Sequence, residues 1–253
     1  MKLNFRKSGS GKPLIILHGL FGSADNWFSI AKELEKQFTL YLVDQRNHGD
    51  SPNSTEWTYA LMAADLLELM DGEGIGQAYL MGHSMGGKTV MQFALSHPER
   101  VEKLIVADIA PRYYPLHHQE ILEGLNAIPI HSLKSRKEAD DVLSRHIPSI
   151  GIRQFLLKSL GRDDAGGFKW KINLPVITEK IEIVGQEIDS ETSFENPTLF
   201  MAGENSDYIR PEDQESILRL FPNSQTIFIP NAGHWLHAEQ PAAVIEAVRD
   251  FLG

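Results

Sequence analysis

Short apolar runs recur along the chain, at Leu14 to Leu17, Thr39 to Val43, Ala78 to Met81, Leu104 to Ala107, Thr198 to Met201 and Thr226 to Ile229. Each has the length and continuity of a strand buried on both faces. Between and after them lie stretches with helical patterning, near Asn26 to Gln37, Tyr59 to Met70, Met85 to Ser96, Pro211 to Leu220 and Pro241 to Leu252. The last two open with Pro at the first helical position, where its missing N–H is not needed. Strands alternating with helices imply parallel pairing, so the pattern predicts a doubly wound, mostly parallel α/β sheet. The rhythm breaks between about Tyr113 and Ser190, where strand-like runs are scarce and Pro, Gly and short helical patterns dominate. That stretch keeps Phe155, Leu156, Leu157 and Trp170, apolar content that a disordered linker lacks. The expected organisation is a core made of residues 1–112 and 191–253, with a helical cap inserted at 113–190. No repeat or low-complexity tract is present.

A chain of 253 residues suits one α/β core with such an insertion. Its 24 Lys and Arg against 34 Asp and Glu leave a formal charge of −10, which disfavours nucleic acid and anionic membranes as partners. No apolar run approaches the ~18 residues of a membrane span, so a soluble protein is expected. The absence of cysteine excludes disulfides, thiolate metal sites and a Cys nucleophile, and fits a reducing compartment. The N-terminal Met-Lys-Leu-Asn-Phe-Arg-Lys leads into only a short apolar run without a small-residue cleavage pattern. No signal peptide is expected, and the cytoplasm is the default location. Oligomeric state is not legible.

Chemistry concentrates at Gly82-His83-Ser84-Met85-Gly86, which follows one apolar run and opens a helical stretch. This is the strand, sharp turn and helix that G-x-S-x-G requires, with Ser84 Oγ lifted above the sheet and a helix N-terminus beside it. A rival occupies the same residues. Gly82 to Thr89 reads G-H-S-M-G-G-K-T, a literal match to the phosphate-binding G-x-x-x-x-G-K-[ST] pattern, with Lys88 for phosphate, Thr89 for magnesium and Asp108 on the partner strand. Both readings place a strand before a helix, so features elsewhere in the chain must decide. His18-Gly19 ends the first apolar run, where the N–H of Leu20, or alternatively Phe21, can join that of Met85 as an oxyanion hole. Gly233-His234-Trp235 follows the last strand-like run, giving the chain order Ser, acid, His. An ATPase has no need of that His.

Asp44 to Ser51 reads D-Q-R-N-H-G-D-S and resembles the D-x-R-x-x-G-x-S loop common in α/β-hydrolases. With the motifs above, the resemblance covers essentially the whole chain. Within the superfamily, H-G-L-F-G-S-A-D-N from His18 to Asn26, R-N-H-G, G-H-S-M-G-G-K, D-I-A-P from Asp108 to Pro111 and N-A-G-H-W resemble the YbfF-type bacterial esterases and their mitochondrial relatives. The resemblance implies an esterase or thioesterase with a small helical cap and no cofactor, acting on a small acyl ester or thioester. Ser84 is then the nucleophile, His234 the base, and Leu20 and Met85 the oxyanion donors. Asp108 and Asp207 both lie where a carboxylate can reach the His loop. Later-acid members usually show G-x-x-D, whereas Gly203-Glu204-Asn205-Ser206-Asp207 carries one residue more, and the YbfF-type relatives that this chain resembles at D-I-A-P carry their acid there, so the resemblance favours Asp108 over Asp207. Other chemistries hosted on this scaffold remain as alternatives: carbon-carbon hydrolysis, a lyase or a cofactor-free peroxidase, as does a ligand receptor without turnover.

The remaining notable residues have plainer readings. His83 is expected to pack in the core, and Asp44 and Arg46 to brace their loop. His234 and His237 lie three apart, yet no H-E-x-x-H, Cys or third ligand cluster accompanies them, so no metal site is expected. His117, His118 and His131 are expected as exposed polar surface, and Asp140-Asp141 and Asp163-Asp164 as solvated faces and turns. Of the aromatics Phe21, Tyr113, Tyr114, Phe155 and Trp170, only Phe21, beside the oxyanion hole, is assigned to substrate binding; short to medium acyl chains are expected.

Overall fold

A computed structural model of the chain describes residues 1–115 and 118–253; His117 lies outside the described residues. The elements run β1 (Phe5–Gly9), β2 (Lys12–Leu17), α1 (Phe28–Leu34), β3 (Phe38–Val43), α2 (Tyr59–Gly72), β4 (Ala78–His83), α3 (Met85–Ser96) and β5 (Val101–Ala107). After these come α4 (Gln119–Asn126), α5 (Arg136–Leu143), α6 (Ile150–Leu157), β6 (Leu160–Arg162), β7 (Phe168–Trp170), α7 (Leu174–Glu179) and α8 (Glu182–Gly185). The chain closes with β8 (Thr198–Gly203), α9 (Gln214–Leu220), β9 (Ser224–Ile229), α10 (Leu236–Glu239) and α11 (Pro241–Leu252).

Seven strands form one sheet in the order β1-β3-β2-β4-β5-β8-β9, with β1 antiparallel to β3 and every other pairing parallel. All six apolar runs are strands of this sheet. In the five interior strands that continuity has a direct cause, because side chains alternate across the sheet and both faces are covered, whereas β9 lies at the edge and is only partly buried. Leu14, Ile16, Leu40, Leu42, Met81 and Ile105 pack under α1 and α11, whereas Ile15, Leu17, Tyr41, Val43, Leu80 and Leu104 pack with α2 and α3 on the other side. The edge strand β1 was not expected. Its Phe-Arg-Lys-Ser-Gly is polar and largely exposed, as an edge tolerates, and it is recruited by pairing with β3.

Among the described residues, the segment between β5 and β8 contributes five helices and an antiparallel hairpin, β6 with β7. The hairpin departs from a purely helical expectation. Its turn follows from Asp163, whose Oδ1 accepts the N–H groups of Ala165 and Gly167 at 3.0 and 2.7 Å, and from Gly166 at φ 84°. Asp140 is not simply solvated either, because Arg153 Nε donates to it at 2.8 Å and ties α5 to α6. The two ends of the inserted segment return to one place: Ile188 N–H donates to Pro111 O at 2.7 Å and Tyr114 N–H to Gly185 O at 2.8 Å. Among the described residues no helix is long and apolar enough to cross a membrane.

Candidate active site

Ser84 stands between β4 and α3 with φ 53° and ψ −118°, a conformation that a non-glycine residue adopts only when its surroundings enforce it. Two glycines make this possible. A Cβ on Gly82 would meet Gly86 O at 2.2 Å, and one on Gly86 would meet Leu17 O and His18 O at 2.6 Å. The backbone can therefore fold back on itself and against β2 only without side chains there. Ser84 N–H donates to Ala107 O at 3.0 Å, which fixes the turn to β5.

Asp108, the residue after β5, and His234, in the loop after β9, meet Ser84 at the carboxyl ends of the strands. His234 Nδ1–H donates to Asp108 Oδ2 at 2.8 Å, and Ser84 Oγ lies 3.1 Å from His234 Nε2. Asp108 is fully buried and itself has φ 51°. Its Oδ1 accepts Gly203 N–H at 2.9 Å and its Oδ2 accepts Ser206 Oγ–H at 2.5 Å. Asp207 is exposed, with its carbonyl taken by Arg210 Nε at 3.0 Å. Ser206 is a residue the sequence reading passed over; the extra residue of Gly203 to Asp207 places its hydroxyl on the Asp108 carboxylate. Glu239 was passed over as well. Its carboxylate accepts Gly233 N–H at 2.7 Å and Trp235 N–H at 3.2 Å, gripping the backbone on both sides of His234. His83, expected in the core, is buried there and also donates from Nε2 to His234 O at 2.7 Å. Tyr208 stacks on the His234 ring at 3.8 Å between centroids and 17° between planes.

The loop 18–24 crosses the front of the sheet beside Ser84. Of the two N–H groups weighed in the sequence, that of Phe21 is engaged by His48 Nε2 at 3.3 Å. Those of Leu20 and Met85 have no protein acceptor among the described hydrogen bonds. Asp44 and Arg46 brace this region. Asp44 accepts Ala24 N–H at 2.7 Å and Asp50 N–H at 3.0 Å, and although burial opposes ionisation, these N–H groups hold its carboxyl below the usual range. Arg46 forms a two-pronged pair with buried Asp65 at 2.6 and 2.8 Å.

Ser84 opens into a cavity of about 430 Å³ whose walls include Leu20, Phe21, Trp27, Ile121, Ile152 and Phe155. Phe21 and Phe155 both line this cavity. His118 lines the same cavity, so it is not merely surface. Tyr113 is exposed and Tyr114 buried, its hydroxyl donating to Tyr208 O. His237 stacks on Trp27 at 4.5 Å and meets His83 edge-on at 4.7 Å. Burial, with His234 and Lys158 nearby, pushes its pKa down to about 3, so it is a neutral packing group. Among the described residues no three His, Asp or Glu side chains are grouped to hold a metal ion.

Lys88 and Thr89 do not form a phosphate cradle. Lys88 is fully buried, and its amine donates to Arg112 O at 3.0 Å, Gly185 O at 3.3 Å and Gln186 O, carbonyls at both ends of the inserted segment. Thr89 Oγ1 donates to Gln45 Oε1 at 2.8 Å.

Comparison with known proteins adds four findings. A family model described as alpha/beta hydrolase fold matches residues 12–143. The chain is 37% identical, over all of its length and 99% of the relative's, to Esterase YbfF of Escherichia coli (strain K12). It is 39% identical, over 98% of its length and 80% of the relative's, to the sn-1-specific diacylglycerol lipase ABHD11 of Danio rerio. Among solved structures, one described as a marine microorganism esterase superposes with a TM-score of 0.97 at 45% identity, covering 99% of each chain.

Proposed function

The chain belongs to the α/β-hydrolase family, and from that premise we propose that it is a serine hydrolase of carboxylic esters or acyl thioesters with short to medium acyl chains. The observation that carries the reading is the hydrogen-bonded chain Ser84, His234, Asp108 at the floor of an apolar cavity. In this reading Ser84 Oγ attacks the substrate carbonyl as His234 Nε2 takes its proton. Asp108 holds the ring with Nδ1 protonated and stabilises the imidazolium that forms. Leu20 N–H and Met85 N–H receive the negative charge on the carbonyl oxygen, each such donor being worth roughly 3 kcal/mol in the transition state. His234 then protonates the leaving alcohol or thiol, leaving an acyl group on Ser84. Water, deprotonated by the same imidazole, releases the acid and restores the site.

We assign residues 113–190 as the cap, because α4 and α6 supply the cavity wall opposite Ser84, and Phe21 as a wall of the acyl site. The names of the relatives, an esterase and a diacylglycerol lipase, support ester substrates with an apolar arm. Hydrolysis of p-nitrophenyl esters of increasing acyl length by the wild type and by Ser84→Ala tests the reading. The expected result is turnover that falls by as much as about a million-fold in the variant. Equal turnover in both proteins would place the chemistry elsewhere, and none in either would favour a binding protein.

A further inference from the structure

The peptide N–H groups of residues 21–24 each have a partner. Phe21 N–H donates to His48 Nε2 at 3.3 Å, Gly22 N–H to Gly19 O at 3.0 Å, Ser23 N–H to Asn26 Oδ1 at 2.7 Å and Ala24 N–H to Asp44 Oδ1 at 2.7 Å. Residues 19–22 therefore form a β-turn, with Phe21 at its third position and φ 61°. Turns with positive φ at that position favour Gly or Asn, because a Cβ costs about 1–2 kcal/mol in the left-handed region. Something must hold Phe21 there. The Leu20 N–H shares a peptide plane with Gly19 O, which accepts Gly22 N–H at 3.0 Å and His18 Nδ1–H at 2.8 Å, so its direction is fixed within the turn that Phe21 completes.

His48 is the group placed to do so. It is fully buried, and its Nδ1–H donates to Arg46 O at 3.0 Å, which leaves Nε2 as the lone-pair acceptor facing the Phe21 peptide. Burial, with His18 nearby, pushes its pKa down to about 3, so this acceptor persists across the neutral range. Relaxing Phe21 to an ordinary negative φ would turn its N–H away from His48 and leave two buried polar groups unpaired. The loop that carries His48 is also where the cap lands. His48 pairs with Ile172 in an antiparallel bridge, Asn173 N–H donates to Asn47 O at 2.8 Å, and Asn173 Nδ2 to Asn47 Oδ1 at 2.9 Å.

We propose that His48 is the positioning residue of the oxyanion hole, holding Phe21 in its left-handed turn so that the Leu20 N–H faces the reacting carbonyl, and that Asn173 ties the seating of the cap to this turn. The assignment rests on the esterase reading and on Leu20 as a donor. It touches no substrate atom, so its signature is in the transition state and not in ground-state binding.

The test compares His48→Leu, His48→Gln and Asn173→Ala with the wild type on the preferred ester. It also compares inhibition by a trifluoromethyl ketone, which adds Ser84 to give an oxyanion, with inhibition by the matching methyl ketone. Removing one oxyanion donor outright costs about 10²–10³ in kcat. Misdirecting it in His48→Leu is expected to lower kcat about 30-fold with KM within about twofold, and to weaken the trifluoromethyl ketone by the same factor while sparing the methyl ketone. His48→Gln, which keeps an acceptor, should recover most of the loss, and Asn173→Ala should lower kcat a few-fold in the same pattern. An unchanged kcat in His48→Leu, or equal weakening of both ketones, would overturn the assignment; an unchanged kcat in Asn173→Ala would overturn the link to the cap. A wild type inert towards every ester would overturn the esterase reading beneath it, which separates the two failures. Should His48→Leu not fold, nitrogen NMR of the wild-type imidazoles decides. A His48 Nε2 that carries no proton from pH 5 to 9 is expected, and a protonated Nε2 overturns the proposal.

Discussion

At the scale of single residues, the site is recognisable by backbone conformations that ordinary folding avoids. Among the described residues, four of the five non-glycine residues with positive φ are Phe21, Asn47, Ser84 and Asp108, and the fifth, Asn231, lies three residues before His234. Each costs about 1–3 kcal/mol and persists only where the surroundings over-determine it. At Asp108 they do so through Gly203 N–H, Ser206 Oγ–H and His234 Nδ1–H, three donors on one buried carboxylate. If Asp108 orients His234, Asp108→Asn should lower kcat by about 10⁴, because an amide presents the wrong partner to Nδ1–H. Asp207→Asn, exposed and away from the ring, should stay near wild type. Steady-state kinetics on one ester decide between them, and the reverse ranking would give the acid role to Asp207. Ser206→Ala should cost far less, about tenfold, since a neutral donor to a carboxylate contributes about 1.5–3 kcal/mol at most. Ser84, His234 and the two competing aspartates were candidates in the sequence through their motifs and the family resemblance those motifs carry, and the structure brings Ser84, His234 and Asp108 within hydrogen-bond reach. The choice between the aspartates depended on where one extra residue after Gly203 sends a side chain. No spacing rule would have found Glu239, because its grip on residues 233 and 235 acts through backbone N–H groups that any sequence supplies.

At the scale of elements, the strand-turn-helix around Ser84 and the two ends of the inserted segment share helix α3. Its first turn carries Gly86, whose Cα faces Leu17 O and His18 O. Gly86→Ala should therefore force α3 away from β2 and destabilise the fold by about 1–3 kcal/mol, the range of overpacking, read as a fall in the urea midpoint. A midpoint within about 0.5 kcal/mol of wild type would show that the elbow tolerates a side chain. Two residues later Lys88 reaches the carbonyls of Arg112, Gly185 and Gln186. Its pKa falls from 10.5 to about 7, because burial disfavours the cation, with Arg112 adding to the effect and Glu187 opposing it. Between these two values the unfolded chain binds a proton that the folded one does not, so this group makes stability rise with pH, by up to about 1.4 kcal/mol per unit. Below pH about 7 both states are protonated and the contribution is flat. Lys88→Met lacks this slope, so urea unfolding from pH 6 to 10 should show the wild type gaining on the variant above pH 7; a constant difference would mean that the amine stays charged when folded. The same residue shows why a motif can mislead. G-H-S-M-G-G-K-T matches a phosphate loop letter for letter, yet the burial that decides what Lys88 binds comes from the distant Arg112 and Gln186.

At the scale of the molecule, the sheet and the inserted segment were legible to different degrees for one physical reason. A strand buried on both faces must be apolar throughout, so the five interior strands β2, β3, β4, β5 and β8 stand out in the sequence. Strands whose existence depends on a partner, such as β1 on β3 or β6 on β7, have no such signature. What the sequence could not supply is the volume left between the two parts. The cavity of about 430 Å³ is walled by loop 18–27 from the core and by α4 and α6 from the insertion, and it exists only when both are in place. If it holds the acyl chain, each added methylene removes apolar surface from water for about 0.8 kcal/mol, close to a fourfold gain in kcat/KM, until the cavity is full. The p-nitrophenyl ester series should therefore climb steadily from acetyl and then break. Phe155 stands on α6 against the Trp235 ring at 5.7 Å, so Phe155→Ala should move the break to longer chains by opening that wall. A profile without a break, or a break unmoved in Phe155→Ala, would mean that the acyl chain lies elsewhere and that the cavity receives the leaving group, since His234, which must protonate that group, borders the same space.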